Sequence, residues 1–330
     1  MNIQLLVLDG VFDLGLASLL DTFSLANELM PVLGGDITPF KVTLVADRPQ
    51  VRTAQGFLVP TSAMADPAQV HSVLIPALGL KQPAQLLAAL SRDDVRAACA
   101  WLQEQHRHGV ALGAACTGTF VLAETGLLNG HLATTSWWLG PVFRQRYPLI
   151  KLDDSRILVR SSPFVTTGAA LAHIDLALSL VRQKSAALAA MTARYLLASQ
   201  RTSQASFVIP DHLVHADPLV EKFELWARNH LAQGFNLAAA ASHLCVSQRT
   251  LARRLQAASG KAPLAFFQDI RIQHAVHRLQ TSTDTLEQIA AAVGYADAVT
   301  LRALLRKKLG QGVREIRAAG AGPAAHGQPG

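Results

Sequence analysis

Arginine and glutamine side chains recur on one face of a helix after Ser247, and these residue types can read DNA. At about 100° per residue, positions 249, 253 and 256 fall roughly opposite Leu251 and Leu255, which are spaced to pack inward. Arginine can pair bidentately with guanine, and glutamine with adenine. The pattern therefore predicts a base-reading helix whose outward face carries Gln248, Arg249, Ala252, Arg253 and Gln256.

A second helix with a cationic face follows about 50 residues later. Its inward positions are Leu301, Leu304, Leu305 and the stem of Lys308, at helical spacing. We expect its apolar outward side chains to touch thymine methyl groups and its cations to clamp phosphates. The outward positions are Val299, Arg302, Ala303, Arg306 and Lys307.

Each of these helices follows a short helix and a tight turn. In the first unit, which runs from Asn236 to Ala258, Ser247 is placed to cap the reading helix. In the second unit, Asp284 and Glu287 are spaced as an N-cap and its reciprocal partner, and Asp297 is placed to cap the reading helix.

Either unit alone would also fit an ordinary helical hairpin with a solvated charged face. The presence of two such units favours a double helix-turn-helix. The amphipathic stretch from Pro263 to Gln280 joins them. We expect the two reading helices to enter successive major-groove turns, roughly 34 Å apart.

Cys116 stands between a predicted strand ending in Ala114-Ala115 and a helix opening with Thr117-Gly118-Thr119. This strand-to-helix elbow would expose the thiol at the carboxyl edge of a sheet, where the helix N-terminus would lower its pKa. A thiolate hydrolase also needs a base and oxyanion donors, and the sequence supplies neither obviously. With Cys99 and Cys245, the cysteines lack metal-ligand spacing, so neither a metal site nor a disulfide framework is expected.

The excess of positive over negative charge lies entirely in the back of the chain. Of 30 Lys and Arg and 23 Asp and Glu, 16 of each lie up to Pro218, which leaves 14 against 7 in the remainder and accounts for the net charge of +7. A cationic segment of this size can replace counterions on nucleic acid, although a merely soluble basic face fits the charge equally well. No apolar run is long enough for a membrane span and no signal peptide is evident, so a cytoplasmic protein is expected.

Short apolar runs alternate with longer alanine-rich helical stretches in the first part of the chain, which predicts a doubly wound, flavodoxin-like α/β domain with a parallel sheet over residues 1–198. A linker is expected at 199–217, an all-α domain at 218–318 and a disordered tail at 319–330. The predicted strands are Ile3–Leu8, Val42–Ala46, Val73–Pro76, Val110–Leu112, Ile157–Val159 and Phe164–Thr166.

The all-α domain closely resembles the AraC/XylS class of transcription regulators over about a hundred residues. The resemblance implies sequence-specific binding to double-stranded DNA by two helix-turn-helix units. The residues that carry it are Ser247 to Leu255, Gly260, Arg271, Ala275, Ile289-Ala290, Val293-Gly294-Tyr295, Gly310 and Arg317.

The α/β domain resembles the ThiJ/PfpI group of class I glutamine amidotransferase-like proteins, on Ala115 to Gly118, Leu122 to Gly130 and Ala133 to Trp137. Fused to an AraC-type domain, this is the layout of GlxA-type regulators. Enzymes of the group usually carry histidine directly after the cysteine, where this chain has Thr117, and paired glycines where it has Ala77-Leu78. The resemblance therefore implies a sensor descended from an enzyme, with Cys116 as a pocket wall.

These observations predict a DNA-binding transcription regulator without a cofactor, and the resemblance implies that it responds to a small nitrogenous metabolite. The resemblance implies a homodimer, with RNA polymerase as a further candidate partner. The alternatives are a cysteine hydrolase with a basic localising tail and a general architectural DNA-binding protein. We expect the ligand to contact Asp13, Cys116, Thr117, Ser136 and Trp137.

Overall fold

The computed structural model of the chain describes residues 1–34, 38–64, 70–198, 204 and 217–320, with side chains up to residue 317. The chain divides into two compact units, Met1–Gln204 and Ala205–Gly330. Of the predicted linker at 199–217, only Gln204 and Asp217 are among the described residues, and the predicted tail beyond residue 320 lies outside them. No helix in the described ranges is long and apolar enough to cross a bilayer.

The first unit is built on a seven-stranded sheet in the order β10-β11-β7-β6-β1-β2-β5, parallel except that β10 runs antiparallel to β11 at one edge. Each of the six predicted strands is present. The edge strand β5, the hairpin β3-β4 and the pair β8-β9 were not predicted, because each of these strands is only two or three residues long. The strands are β1 (Asn2–Leu6), β2 (Lys41–Ala46), β3 (Gln50–Arg52), β4 (Leu58–Pro60), β5 (Ser62–Ala63), β6 (Ser72–Ile75), β7 (Ala111–Ala115), β8 (Leu132–Ala133), β9 (Lys151–Leu152), β10 (Leu158–Ser161) and β11 (Phe164–Thr167).

Helices cover both faces of this sheet, which is why its central strands are apolar on both sides. In β1, Ile3 and Leu5 pack against α1, α6 and α7, whereas Leu6 packs into the core formed with α2 to α5. The fold class is therefore the predicted doubly wound α/β sandwich. The helices are α1 (Asp13–Leu33), α2 (Pro83–Ala89), α3 (Asp93–Arg107), α4 (Gly118–Glu124), α5 (Gly140–Arg146), α6 (Ala172–Lys184) and α7 (Ala186–Tyr195).

The second unit is all-helical over its described residues. It contains two separate hydrophobic cores, and one long helix, α11, contributes to both of them. Its N-terminal part supplies Phe266, Phe267 and Ile270 to the first core, and its C-terminal part supplies Ile272 and Leu279 to the second. The helices are α8 (Pro218–Asn229), α9 (Leu237–His243), α10 (Gln248–Ser259), α11 (Pro263–Thr281), α12 (Leu286–Ala292), α13 (Ala298–Leu309) and α14 (Val313–Gly320).

Helix caps fix where the two reading helices begin. The side chains of Ser247 and Asp297 accept hydrogen bonds from the backbone of the first turns of α10 and α13, as predicted. Both helices end at a left-handed glycine, Gly260 and Gly310 respectively, which satisfies a terminal carbonyl without strain.

The capping pair predicted at Asp284 and Glu287 is wrong by one residue. Thr285 is the N-cap of α12, and Gln288 returns the reciprocal bond to the Thr285 backbone. Asp284 lies one position too early to reach the free backbone N–H groups, and its carboxylate instead accepts two hydrogen bonds from Arg278.

Candidate functional site

The outward face of α10 is open to solvent. Gln248, Arg249, Arg253 and Gln256 are exposed and Ala252 is half-buried, while Leu251 and Leu255 are fully buried in the first core. The helix is seated by its inner stripe, so its amide and guanidinium groups project away from the protein. Such a face fits the major groove, whose width admits one α-helix.

The outward face of α13 has a different chemistry. Arg302, Ala303, Arg306 and Lys307 are exposed, and Val299 keeps 71% of its surface accessible. Val299 and Ala303 form an apolar edge suited to a thymine methyl group, with the cations flanking it.

Cations on these helices divide into those bound within the fold and those available to a partner. Arg254 pairs with Asp217 at 2.5 Å, and Lys308 pairs with Asp269. In contrast, the outward guanidinium groups of Arg253 and Arg306 make no ion pair within the described ranges. Tertiary structure thus separates structural from available charges on the same helix.

The carboxyl edge of the sheet is the place where the first unit could bind a small molecule. After β1 the chain continues to β2 on one side of β1, and it later returns to form β6 on the other side. The strand order therefore reverses between β1 and β6. Ligands of open α/β sheets bind in the crevice at such a switch point. Asp13 follows β1, and Cys116 follows β7, the strand next to β6.

Cys116 forms the predicted elbow, with a positive φ of 56° that L-residues rarely adopt. Its thiol is 2.7 Å from the Ser136 hydroxyl, and the Thr135 hydroxyl donates to the Cys116 carbonyl. A Cβ on Gly118 would lie 2.4 Å from the Ile75 carbonyl oxygen, so only glycine lets α4 approach β6 this closely.

The prediction that the helix N-terminus lowers the Cys116 pKa is wrong. The residue is 5% exposed, and burial raises the pKa of its thiol despite the hydrogen bonds from Ser136 and the Thr117 backbone. Removing a thiolate from water costs more than these bonds return.

The other predicted ligand contacts lie around the elbow or on the loops near it. The Thr117 hydroxyl donates to the Leu78 carbonyl at 2.8 Å, and Ser136 is fully buried beside Cys116. Trp137 is 8% exposed and meets Trp138 edge-on. Asp13 accepts a hydrogen bond from the Gln55 backbone through one carboxylate oxygen, while the other is enclosed and has no partner among the described residues.

His173 was missed because a single histidine at the start of an apolar helix gives no functional signal. It is fully buried, and Nδ1 lies 2.6 Å from the Ala170 carbonyl, so Nδ1 carries the proton. Nε2 then accepts the Ala77 N–H at 3.0 Å. Burial lowers its pKa to about 4. Both ring nitrogens are engaged, so His173 holds the loop after β6 rather than serving as a base.

Gln204 was also missed because it lies in a stretch without periodicity. Its side chain is 1% exposed and donates to the Thr135 carbonyl at 2.9 Å and to the Arg156 carbonyl at 3.0 Å. Thr135 also binds the Cys116 carbonyl, so Gln204 is one residue removed from the elbow. The described residues contain no cluster of three or more metal-ligating side chains.

Comparison with known proteins matches this arrangement. A family described as a helix-turn-helix domain matches residues 240–319, from the middle of α9 into α14. The HTH-type transcriptional regulator GbdR of Pseudomonas aeruginosa (strain UCBPP-PA14) is 24% identical over 96% of this chain and 84% of its own length. The second unit is therefore a helix-turn-helix domain, and the chain is similar to AraC-family transcriptional regulators over nearly its whole length.

Similarity to known proteins is not confined to the second unit, since the match to GbdR spans 96% of this chain. The HTH-type transcriptional regulator GlxA of Rhizobium meliloti (strain 1021) is 26% identical over 62% of this chain and 64% of its own length. The match to a solved structure of a THiJ/PfpI family protein from Pseudomonas syringae spans 60% of this chain and 75% of the other chain, with 21% identity and a TM-score of 0.48.

Proposed function

We propose that this regulator binds a DNA site made of two elements. In this proposal α10 reads base edges, while α13 binds the phosphate backbone through its cations and contacts a thymine methyl group through its apolar edge. The observation that carries the proposal is that both helices turn exposed polar or cationic side chains outward from cores joined by α11. Gln248, Arg249, Ala252, Arg253 and Gln256 are the proposed base contacts of α10, and Val299, Arg302, Ala303, Arg306 and Lys307 the proposed contacts of α13.

Selection from random duplex DNA at fixed, near-physiological salt tests this proposal. We expect enrichment of a site with two elements about one helical turn apart, since each reading helix occupies one major-groove face. Salt-sensitive binding without any enriched sequence would instead indicate an architectural DNA-binding protein.

We further propose that the first unit is a non-catalytic sensor. A hydrolase needs Cys116 as a thiolate beside a free base. The raised thiol pKa and the two engaged nitrogens of His173 oppose that chemistry. The Cys116→Ala variant distinguishes a sensor from a hydrolase, because it should abolish any hydrolysis and leave DNA affinity intact.

The proposed effector is a small metabolite with a cationic nitrogen. The enclosed, unpartnered oxygen of Asp13 at the switch-point edge supports this class, because a buried carboxylate oxygen is costly without a donor or a cation. Cys116, Thr117, Ser136 and Trp137 are the proposed remaining contacts.

Thermal shifts of the full chain with amino acids, quaternary ammonium compounds and neutral isosteres test the effector class. A cationic compound at a hundred times its Kd should stabilise the protein by about 2.7 kcal/mol. Asp13→Asn should remove that shift, and equal shifts with the neutral isosteres would contradict the charge argument.

Coupling between the effector and DNA is supported by Gln204, which precedes the second unit in sequence and binds the backbone next to the elbow. We propose that a ligand contacting Ser136 alters this attachment. We also propose that the protein forms a homodimer, contacts RNA polymerase and acts in the cytoplasm. Sedimentation of the purified chain tests whether it is a dimer.

A further inference from the structure

Arg271 lies at the boundary between the two cores of the DNA-binding unit. It follows Ile270, which belongs to the first core, and precedes Ile272, which belongs to the second. Its guanidinium carbon is 5.1 Å from the centre of the Phe267 ring and 5.1 Å from the centre of the Tyr295 ring. Phe267 packs in the first core and Tyr295 against the second, so one side chain touches both halves.

The Arg271 guanidinium also binds the backbone of the first half. Its Nη2 donates to the Leu231 carbonyl at 2.9 Å, just beyond the end of α8. Its Nε is enclosed and meets no acceptor among the described residues. A planar cation between two aromatic faces, with one directed hydrogen bond, has its position and its rotation defined.

The turn of the second helix-turn-helix closes onto this same group. Gly294 has a φ of +80°, and a Cβ there would lie 2.1 Å from the Leu231 oxygen and 2.3 Å from Arg271 Nη2. The turn between α12 and α13 therefore lies directly against the Leu231 carbonyl of the first half, with Arg271 beside it.

We propose that Arg271 is a positioning residue that locks the second helix-turn-helix against the first and so sets the spacing between the two DNA elements that the protein accepts. This inference rests on the proposed bipartite DNA binding. The shared helix α11 connects the two halves. The contacts of Arg271 with Phe267, Tyr295 and the Leu231 carbonyl, which we call the clamp, fix the rotation of the halves about this helix. Other charged links at α11, such as Asp269 with Lys261 and Lys308, are partly exposed and weak by comparison.

The expected consequence follows from DNA geometry. One added base pair moves the second element by roughly 3.4 Å and rotates it by roughly a tenth of a turn. A rigid pair of reading helices cannot follow this change without losing base contacts, so affinity should fall about tenfold or more. A pair released at the clamp can follow it.

The experiment uses the full chain and the site that it selects from random duplex DNA. Duplexes with the selected spacing, one base pair more and one base pair fewer are titrated with the wild type and with Arg271→Lys, which keeps the charge but lacks the planar group. Arg271→Lys should discriminate among the three spacings by no more than about threefold, against about tenfold for the wild type. Binding to a duplex with only the first element should be the same for both proteins.

Tyr295→Leu removes one face of the clamp and provides the test if Arg271→Lys does not fold, as judged by its thermal transition. The double variant should add nothing to either single change, because the residues act as one unit. The matched controls are Arg314→Lys, an exposed site on α14, and Tyr295→Phe, which keeps the ring; both should retain wild-type discrimination.

Tenfold discrimination by either clamp variant would overturn the inference. Equal wild-type affinity for all three spacings would overturn it too, while leaving sequence-specific binding in place. If the wild type enriches no sequence at all, the proposed function fails and the inference fails with it.

Discussion

Acidification should weaken the first unit through His173, and the size of the loss can be worked from its surroundings. The ring is neutral in the folded protein because Nε2 must accept the Ala77 N–H. A proton on Nε2 would set two donors against each other and place a charge in a buried site. Unfolding returns the ring to water, where its pKa is 6.5, whereas burial lowers the folded pKa to about 4.

The unfolded chain therefore binds more protons than the folded one between these two pKa values, and stability must fall as the pH falls through that window. With the values 6.5 and about 4, the free energy of unfolding should drop by about 0.8 kcal/mol at pH 6 and about 2 kcal/mol at pH 5, relative to pH 8.

Urea unfolding between pH 8 and pH 5 measures this drop. A Trp226→Phe background leaves Trp101, Trp137 and Trp138, all in the first unit, as fluorescence reporters. His173→Asn should be less stable at pH 8, by about 1 to 3 kcal/mol, because a backbone partner loses its hydrogen bond. It should also lack most of the drop.

His108→Asn is the matched control, since His108 is exposed at the end of α3, and it should keep the full drop. If the wild type and His173→Asn lose the same free energy between pH 8 and pH 5, the assignment of the drop to His173 is refuted.

Three further predictions concern the DNA interface, the elbow and a helix cap. Arg253→Ala should weaken binding to the selected site by about 1 to 3 kcal/mol and relax one base position, whereas Lys307→Ala should weaken all duplexes alike and reduce the salt dependence; equal loss on every sequence for Arg253→Ala would defeat its base-reading role. Gly118→Ala should destabilise the first unit by about 1 to 3 kcal/mol in urea unfolding, because its methyl group would meet the Ile75 carbonyl at 2.4 Å. Thr285→Ala should lower the stability of the second unit by about 1 kcal/mol through loss of the capping box, and a larger effect of Glu287→Ala in calorimetry would contradict the assigned cap.

Periodic patterns made much of the fold predictable from the sequence. Apolar runs located six strands of the main sheet, most clearly β1 and β6, which are buried on both faces, and the spacing of Leu251 and Leu255 oriented α10 correctly. The short strands of the β3-β4 hairpin escaped because they pair with each other rather than with the apolar sheet. The caps of α10 and α13 were predictable since the capping side chain is local, but at α12 two candidates stood side by side and only backbone geometry chose Thr285.

Residue type and local spacing were enough to predict which side chains could read DNA, where the excess charge lies and that a thiol stands at a strand-to-helix elbow. Tertiary structure alone decided the state of Cys116, since burial outweighs the helix N-terminus in setting its pKa. It also decided which cations are available, by pairing Arg254 with Asp217 and leaving Arg253 free of ion pairs within the described ranges. His173, Gln204 and Arg271 gained their roles the same way: each contacts a residue 24 or more positions away in the chain, and no local pattern encodes contacts at that distance.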